Sequence, residues 1–198
     1  MKKILLPFIF ILSAGLSFAQ DFAANLSTAR SSYTGGNLED ARFAMQQMLN
    51  DLDVIIGKEV LKMIPAKLET YASNTKNDNV TANTGLAGVV IHRDYGTEAK
   101  LINLDIMSNS PLVGSLNAIL SIPFVGNSGD GTQKTVKVDG YKGILQKTVD
   151  TETNKTDYTL QIPLNSTLLT LTVPSTTEAE VLKMANAIPV ADIAKMVQ

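Results

Sequence analysis

Apolar residues recur at helical spacing along the first third of the chain, between residues 22 and 64. An Ala-rich segment ends at Thr34-Gly35-Gly36, and Asn37 follows as the expected N-cap of a second helix. The apolar positions of that helix recur every three or four residues until Pro65, which cannot continue a helix. These positions are Leu38, Ala41, Met45, Met48, Leu49, Leu52, Ile55, Ile56, Val60, Leu61 and Ile64. The pattern predicts a helical hairpin over residues 22–64 that packs on the remainder of the protein.

After the hairpin, the pattern changes from helical to alternating. Residues 66–84 are polar and rich in Asn and Thr, and we expect a surface loop at Ser73–Asn79 within them. The alternation that follows is typical of half-buried strands. The predicted strands are residues 86–92, 98–107, 134–139, 141–149, 158–164 and 169–173. Between them, turns or loops are predicted at Asp94–Gly96, at Gly126–Gly131 and at Asp139-Gly140, the last being a favoured hairpin turn.

Helices interrupt and close this strand-rich region. Pro111 starts a predicted helix that runs to residue 122. Ser175-Thr-Thr-Glu178 has the pattern of a capping box and predicts a terminal helix, which ends at Pro189 before a short helix over 190–197. Since the predicted reversals are short, the strands are expected to be antiparallel. The predicted fold class is α+β, with an N-terminal helical hairpin, an antiparallel β-meander of about six strands with one inserted helix, and C-terminal helices.

The amino terminus has the features of a bacterial export signal. Met1-Lys2-Lys3 is basic, Ile4–Leu12 is almost entirely apolar, and small residues precede Gln20. Cleavage is predicted near Ala19–Gln20, which makes residues 1–19 a signal peptide and the mature protein periplasmic or extracellular. The apolar run is too short to span about 30 Å of hydrocarbon, so no membrane span is expected after cleavage. The remaining chain is divided into a helical segment, 20–72, and an antiparallel α+β domain, 85–198.

Composition and charge exclude several kinds of chemistry. The chain has no Cys, so neither a disulfide nor a thiol nucleophile is available. Its formal net charge of −2 gives no reason to expect nucleic-acid binding. His92 is the single histidine, and a metal site or a general base would need partners for it. No Gly-x-Ser-x-Gly elbow is present, so no metal, cofactor or catalytic residue is predicted, and a hydrolase using His92 is kept as an alternative.

One stretch of the sequence, Ile106 to Gly129, contains no Asp, Glu, Lys or Arg. A surface helix normally carries charge on its outer side, and this one offers only Ser115, Asn117 and Ser121. Either the helix is buried on most sides, or residues 106–125 contact an apolar ligand or a protein partner. The candidate ligand-binding residues are Leu112, Leu116, Ile119, Leu120 and Phe124. On this basis we expect a non-enzymatic periplasmic or secreted binding or accessory protein.

Two resemblances add to these expectations. Arg93-x-Tyr95, Lys137-Val-Asp-Gly140 with Lys142-Gly143, and the capped closing helix follow an order that resembles the PsbP-like fold. This resemblance, shared with uncharacterised secreted bacterial proteins of similar layout, implies a binding or accessory role and transfers no functional residue. The segment Tyr33–Ala41 resembles the turn of a tetratricopeptide repeat within a single hairpin at 22–50. It implies, as an alternative, a protein–protein interaction module that uses the hairpin 22–64.

Overall fold

The computed structural model describes residues 17–82, 88–122 and 131–197. The chain forms two compact units, Met1–Asp51 and Leu52–Gln198, and the boundary between them falls inside a helix. Most of the predicted signal peptide and the predicted loop Gly126–Gly131 lie outside the described residues. No helix in the described ranges is long and apolar enough to cross a bilayer.

The helical elements of the described residues agree with the hydrophobic pattern. The helices are α1 (Ser17–Thr34), α2 (Leu38–Met63), α3 (Leu112–Ser121), α4 (Glu178–Asn186) and α5 (Val190–Met196). The predicted cap of α2 is confirmed, because the backbone N–H of Asp40 donates to Oδ1 of Asn37 at 3.3 Å. α2 ends two residues before Pro65, as expected from the missing N–H of proline.

The strands form one large antiparallel sheet and a short ribbon. The ribbon pairs β1 (Lys67–Leu68) with β2 (Tyr71–Ala72). The sheet strands are β3 (Asn79–Ala82), β4 (Val89–Thr97), β5 (Lys100–Met107), β6 (Gln133–Val138), β7 (Tyr141–Val149), β8 (Thr156–Leu164) and β9 (Thr167–Val173). The order across the sheet is β3-β4-β5-β9-β8-β7-β6, so the fold is α+β, as the sequence predicted. Neighbours in sequence pair within β3–β5 and within β6–β9, and β5 joins the two groups by pairing with β9.

The apolar side of the sheet holds the main core. Ile106 faces Leu169 and Leu104 faces Leu171 across the β5–β9 pair, and all four side chains are buried. Further residues of this core come from the end of α2 and from α4 and α5: Val60, Ile64, Val181, Met184, Ala185, Val190, Ile193 and Ala194. Gly57 of α2 lets this helix approach the sheet closely, since a Cβ there would lie 2.7 Å from Cγ1 of Val80.

Two local predictions are corrected by the structure, and the polar stretch 66–84 holds strands that the sequence did not predict. β1, β2 and β3 lie in this stretch, on both sides of the predicted loop at residues 73–79. Asp94–Gly96 lies inside β4, and the reversal comes after Thr97, because tertiary contacts of this segment override its turn-forming residues. The capping box is formed by Thr177 and Glu180, two residues later than predicted. Ser175 has a φ of +48°, whereas an N-cap needs extended backbone.

The apolar stripe predicted for α2 is only partly buried. Ala41, Val60 and Ile64 are buried. Leu38, Met45, Leu49, Leu52 and Ile55 are exposed. Helical periodicity shows that one side of a helix is apolar, but it does not show what covers that side.

Candidate functional site

Helix α3 lies on the side of the sheet opposite the main core. It contacts β7, β8 and β9. Val113 and Leu116 are buried there against Ile144 and Leu168, and the partly buried Ile119 and Leu120 pack against the same cluster. This small second cluster fixes one side of α3 to the sheet.

The opposite side of α3 is exposed and carries no charge. Leu112 and Ile122 are each 51% exposed and stand at the two ends of the helix. Between them the exposed residues are small or uncharged: Gly114, Ser115, Asn117, Ala118 and Ser121. We name this surface the α3 outer face, and define it by Leu112, Gly114, Ser115, Ala118, Ser121 and Ile122. Within the described residues only one side of this helix is covered, which disagrees with the interpretation that it is buried on most sides.

The structure divides the predicted ligand-binding residues. Leu116 points to the sheet, and Ile119 and Leu120 are partly buried beside it. Leu112 is the one described member that belongs to the α3 outer face, while Phe124 lies outside the described residues. Sequence reasoning missed Gly114 and Ala118, because it looked for large apolar residues. The signal that was available is the absence of charge at every outward position.

The first unit exposes a second apolar surface. Its buried hydrophobic side chains in the described range are Ala29, Ala41 and Ala44, which give a thin contact between α1 and α2. Six large side chains of the same hairpin are between 49% and 66% exposed: Leu26, Tyr33, Leu38, Phe43, Met45 and Leu49. Scattered single exposed apolar residues need no explanation, but six within one short hairpin mark a candidate interaction surface.

His92 has a carboxylate partner that the sequence did not indicate. It faces Asp105 directly across β4 and β5, with 2.7 Å between Nδ1 and Oδ1. Both side chains are partly exposed, on the side of the sheet that carries α3. A carboxylate can orient an imidazole for acid–base chemistry. However, the described residues provide neither a nucleophile hydrogen-bonded to His92 nor a cluster of three metal-ligating side chains.

The motif Arg93-x-Tyr95 fastens the end of α2 to the sheet. Arg93 donates to both carboxylate oxygens of Asp78, from Nε at 2.9 Å and from a terminal nitrogen at 2.6 Å. Its other terminal nitrogen donates to the carbonyl oxygen of Ile64 at 2.8 Å. The hydroxyl of Tyr95 donates to the carbonyl of Pro65 at 2.9 Å. The hydrogen bond with Asp78 raises the pKa of Arg93, and burial raises the pKa of Tyr95 to about 12. These side chains therefore stabilise the fold.

The described cavities lie away from α3. One, of about 350 Å³, opens at the edge of the sheet next to the start of α4. Its lining residues are Gly131, Gln133, Lys134, Leu145, Lys147, Tyr158 and Glu178. A smaller cavity, of about 70 Å³, is lined in part by Asp53. Burial raises the pKa of Asp53, although a hydrogen bond from the backbone of Gly88 partly offsets this rise. In the larger cavity Lys134 is already paired with Glu178 at 2.5 Å.

Comparisons with known proteins give no family. The chain matches no protein-family model, no curated protein and no solved structure. The resemblances to the PsbP-like fold and to a tetratricopeptide hairpin therefore stay predictions. The surfaces themselves are the basis for an argument about function.

Proposed function

We propose that this protein is a non-catalytic secreted binding protein that contacts a protein partner through the α3 outer face. The observation that carries the proposal is a helix that lies on the sheet with its outward side exposed and uncharged. A helix on a protein surface normally presents charged residues to water. An exposed helix without them is more typical of a surface that is covered in a complex.

A protein partner fits this surface better than a small apolar ligand. Ligand sites are concave and enclose most of the ligand, whereas the α3 outer face is the outer side of a helix. Gly114 and Ala118 have no bulky side chains, so the backbone of a partner can approach closely. The contacting surface of the partner should itself be uncharged, because a charged group buried here would lose its hydration without gaining an opposite charge.

Export is the part of the proposal that rests on the amino-terminal sequence. Cleavage before Gln20 would place the mature protein in the periplasm or outside the cell. The PsbP-like resemblance adds an accessory rather than catalytic role to this proposal. Intact-mass measurement of the protein recovered from the periplasm and medium tests it. A recovered mass that starts at Gln20 is expected, and protein retained in the cytoplasm with its amino terminus intact would contradict export.

The contact is tested by placing a photo-crosslinking residue at Ala118 of the full chain in producing cells. Ala179, an exposed alanine on α4, is the matched control position. We expect a discrete adduct with another protein from position 118 and none from position 179. With that protein purified, Ala118→Lys should weaken binding at least tenfold, while Ala179→Lys should leave it unchanged. Equal crosslinking at both positions, an adduct with a small molecule, or binding insensitive to Ala118→Lys would each contradict the proposal.

The hairpin of the first unit is a second candidate surface for interaction. The observation in its favour is the set of six large exposed apolar side chains on α1 and on the first half of α2. Between residues 22 and 51, where burial is described, the fully buried hydrophobic side chains are three alanines, which is little apolar area for two helices of this length. Further burial of the exposed side chains by a partner would stabilise the hairpin.

A further inference from the structure

The exposed apolar residues of the hairpin are arranged in a stripe along each helix. In α1, Leu26 and Tyr33 are separated by seven residues. In α2, Leu38, Met45 and Leu49 are separated by seven and four residues. Since a helix turns about 100° per residue, each set lies within about 40° of arc on its own helix. Phe43 lies about 140° from Leu38 and does not belong to the stripe.

The two stripes lie on the same side of the hairpin. Ala29 of α1 and the pair Ala41 and Ala44 of α2 are buried, so they mark the side of each helix that faces the other. Measured from these alanines, the stripe of α1 is displaced by about 40–60° and the stripe of α2 by about 70–110°. Because the two helices run antiparallel, these displacements bring both stripes to the same side. We name the resulting surface the hairpin face: Leu26, Tyr33, Leu38, Met45 and Leu49.

Arginines border the hairpin face on both helices. Arg30 on α1 and Arg42 on α2 are exposed, and each lies about 40° or more from the centre of its stripe, on the side away from the other helix. Neither guanidinium forms an ion pair with a described residue. By contrast, Asp51 accepts a hydrogen bond from Asn25, and Asp40 from Asn37. The surface is therefore apolar in the middle and has one arginine at each of its two outer edges.

We propose that the hairpin face binds an amphipathic helix of another protein whose apolar side is bordered by acidic residues. This inference rests on the hairpin being an interaction module, the second candidate above, and it names the partner's chemistry. A third helix laid along two antiparallel helices fills the groove between their stripes. The stripe of α2 runs over eleven residues, or about 17 Å, which fits a partner helix of about three turns.

Charge decides between this partner and a second copy of the chain. Two hairpin faces packed together would bring the arginine borders of both copies into one interface. Like charges brought together in this way oppose association. Acidic residues along the edges of a helix would instead meet Arg30 and Arg42, and arginine and tyrosine are the residues that most often dominate binding energy at interfaces.

The proposal is tested with two designed helical peptides that share one leucine-rich face. One has glutamate at the positions bordering this face, and the other has lysine at the same positions. Anisotropy titrations with the full mature protein should show at least tenfold tighter binding of the acidic peptide. Leu49→Ser should weaken that binding at least tenfold, while Phe43→Ser, an exposed apolar position outside the hairpin face, should not change it. The double variant Arg30→Glu with Arg42→Glu should bind the basic peptide better.

Several results would overturn the proposal. Equal binding of both peptides would show that the surface is merely apolar, and absence of binding would show that the hairpin face does not accept a helix. A two-chain mass in light scattering that Leu49→Ser reduces to one chain would show that a second copy covers the surface. Ala118→Lys should not alter peptide binding. Failure of the peptide titrations would therefore leave the proposal for the α3 outer face standing. Failure of the crosslinking at Ala118 would likewise leave the proposal for the hairpin face standing.

Discussion

Gly57 provides a sharp test of how α2 packs on the sheet. Replacing it by alanine adds one methyl group to a buried position in the second half of the helix. That methyl group would lie 2.7 Å from Cγ1 of Val80 and 2.8 Å from Cγ2 of Val89. Valine has one strongly preferred rotamer in most settings, so neither methyl group can turn away at low cost.

Two opposing terms decide the sign of the effect. Alanine is favoured over glycine inside a helix by about 1 kcal/mol. Overpacking a well-packed core costs about 1–3 kcal/mol, and here two contacts fall below the closest approach that carbon atoms tolerate. Because two methyl groups clash, we take the upper part of this range, about 2–3 kcal/mol, as the cost. We therefore expect Gly57→Ala to lower the free energy of unfolding by about 1–2 kcal/mol, although the substitution favours the isolated helix.

Urea unfolding followed by circular dichroism measures this change, with Gly114→Ala as the matched control. A Cβ at Gly114 meets no atom within 4 Å, so only the helical preference of about 1 kcal/mol remains, and this variant should be more stable than the wild type. Val80→Ala added to Gly57→Ala should recover part of the loss, because it removes one of the two clashes. If Gly57→Ala stabilises the protein as much as Gly114→Ala does, the close contact between α2 and the sheet is refuted.

Three further predictions concern polar contacts. Arg93→Met should lower the free energy of unfolding by about 3 kcal/mol, because the nearly buried carboxylate of Asp78 is left without its partner. A loss below about 1 kcal/mol in urea unfolding would contradict the stabilising role of this pair. Thr177→Ala should cost about 1 kcal/mol through the lost N-cap, and an unchanged thermal midpoint would show that the capping box does not matter. Hydrogen bonds from Thr176 and Thr177 lower the pKa of Glu180 below its ordinary value of 4.5. The stability that Glu180 contributes is therefore complete above pH 4.5 and is lost as the pH falls through the lower pKa of the folded state. Urea midpoints measured between pH 7 and pH 3 should fall less steeply for Glu180→Gln than for the wild type, and identical slopes would exclude this linkage.

The contrast between the two surfaces shows how far residue patterns reach. The absence of charge between Ile106 and Gly129 could be recognised from the sequence, since charge is a property of the residues themselves. Which residues of α3 face outward depends on how Val113 and Leu116 are seated on the sheet, and no local pattern states this. For α2 the pattern did not show which residues are buried, because its apolar stripe contains buried residues, such as Ala41 and Val60, and exposed ones, such as Leu49 and Ile55.

The sequence by itself determined the helices and six of the strands of this protein, apart from their exact ends. The signals that predict these elements act over a few residues, so they can be recognised without knowing the fold. They are the helical and alternating periods, the cap Asn37, the helix-ending Pro65 and the turn Asp139-Gly140. Only the tertiary structure decided the pairing of β5 with β9, the contact of His92 with Asp105 and the clasp of Arg93 on Asp78. Each of these joins residues that are far apart in the chain or whose pairing depends on strand register. Their free energy comes from burial and geometry that exist only once the sheet has formed.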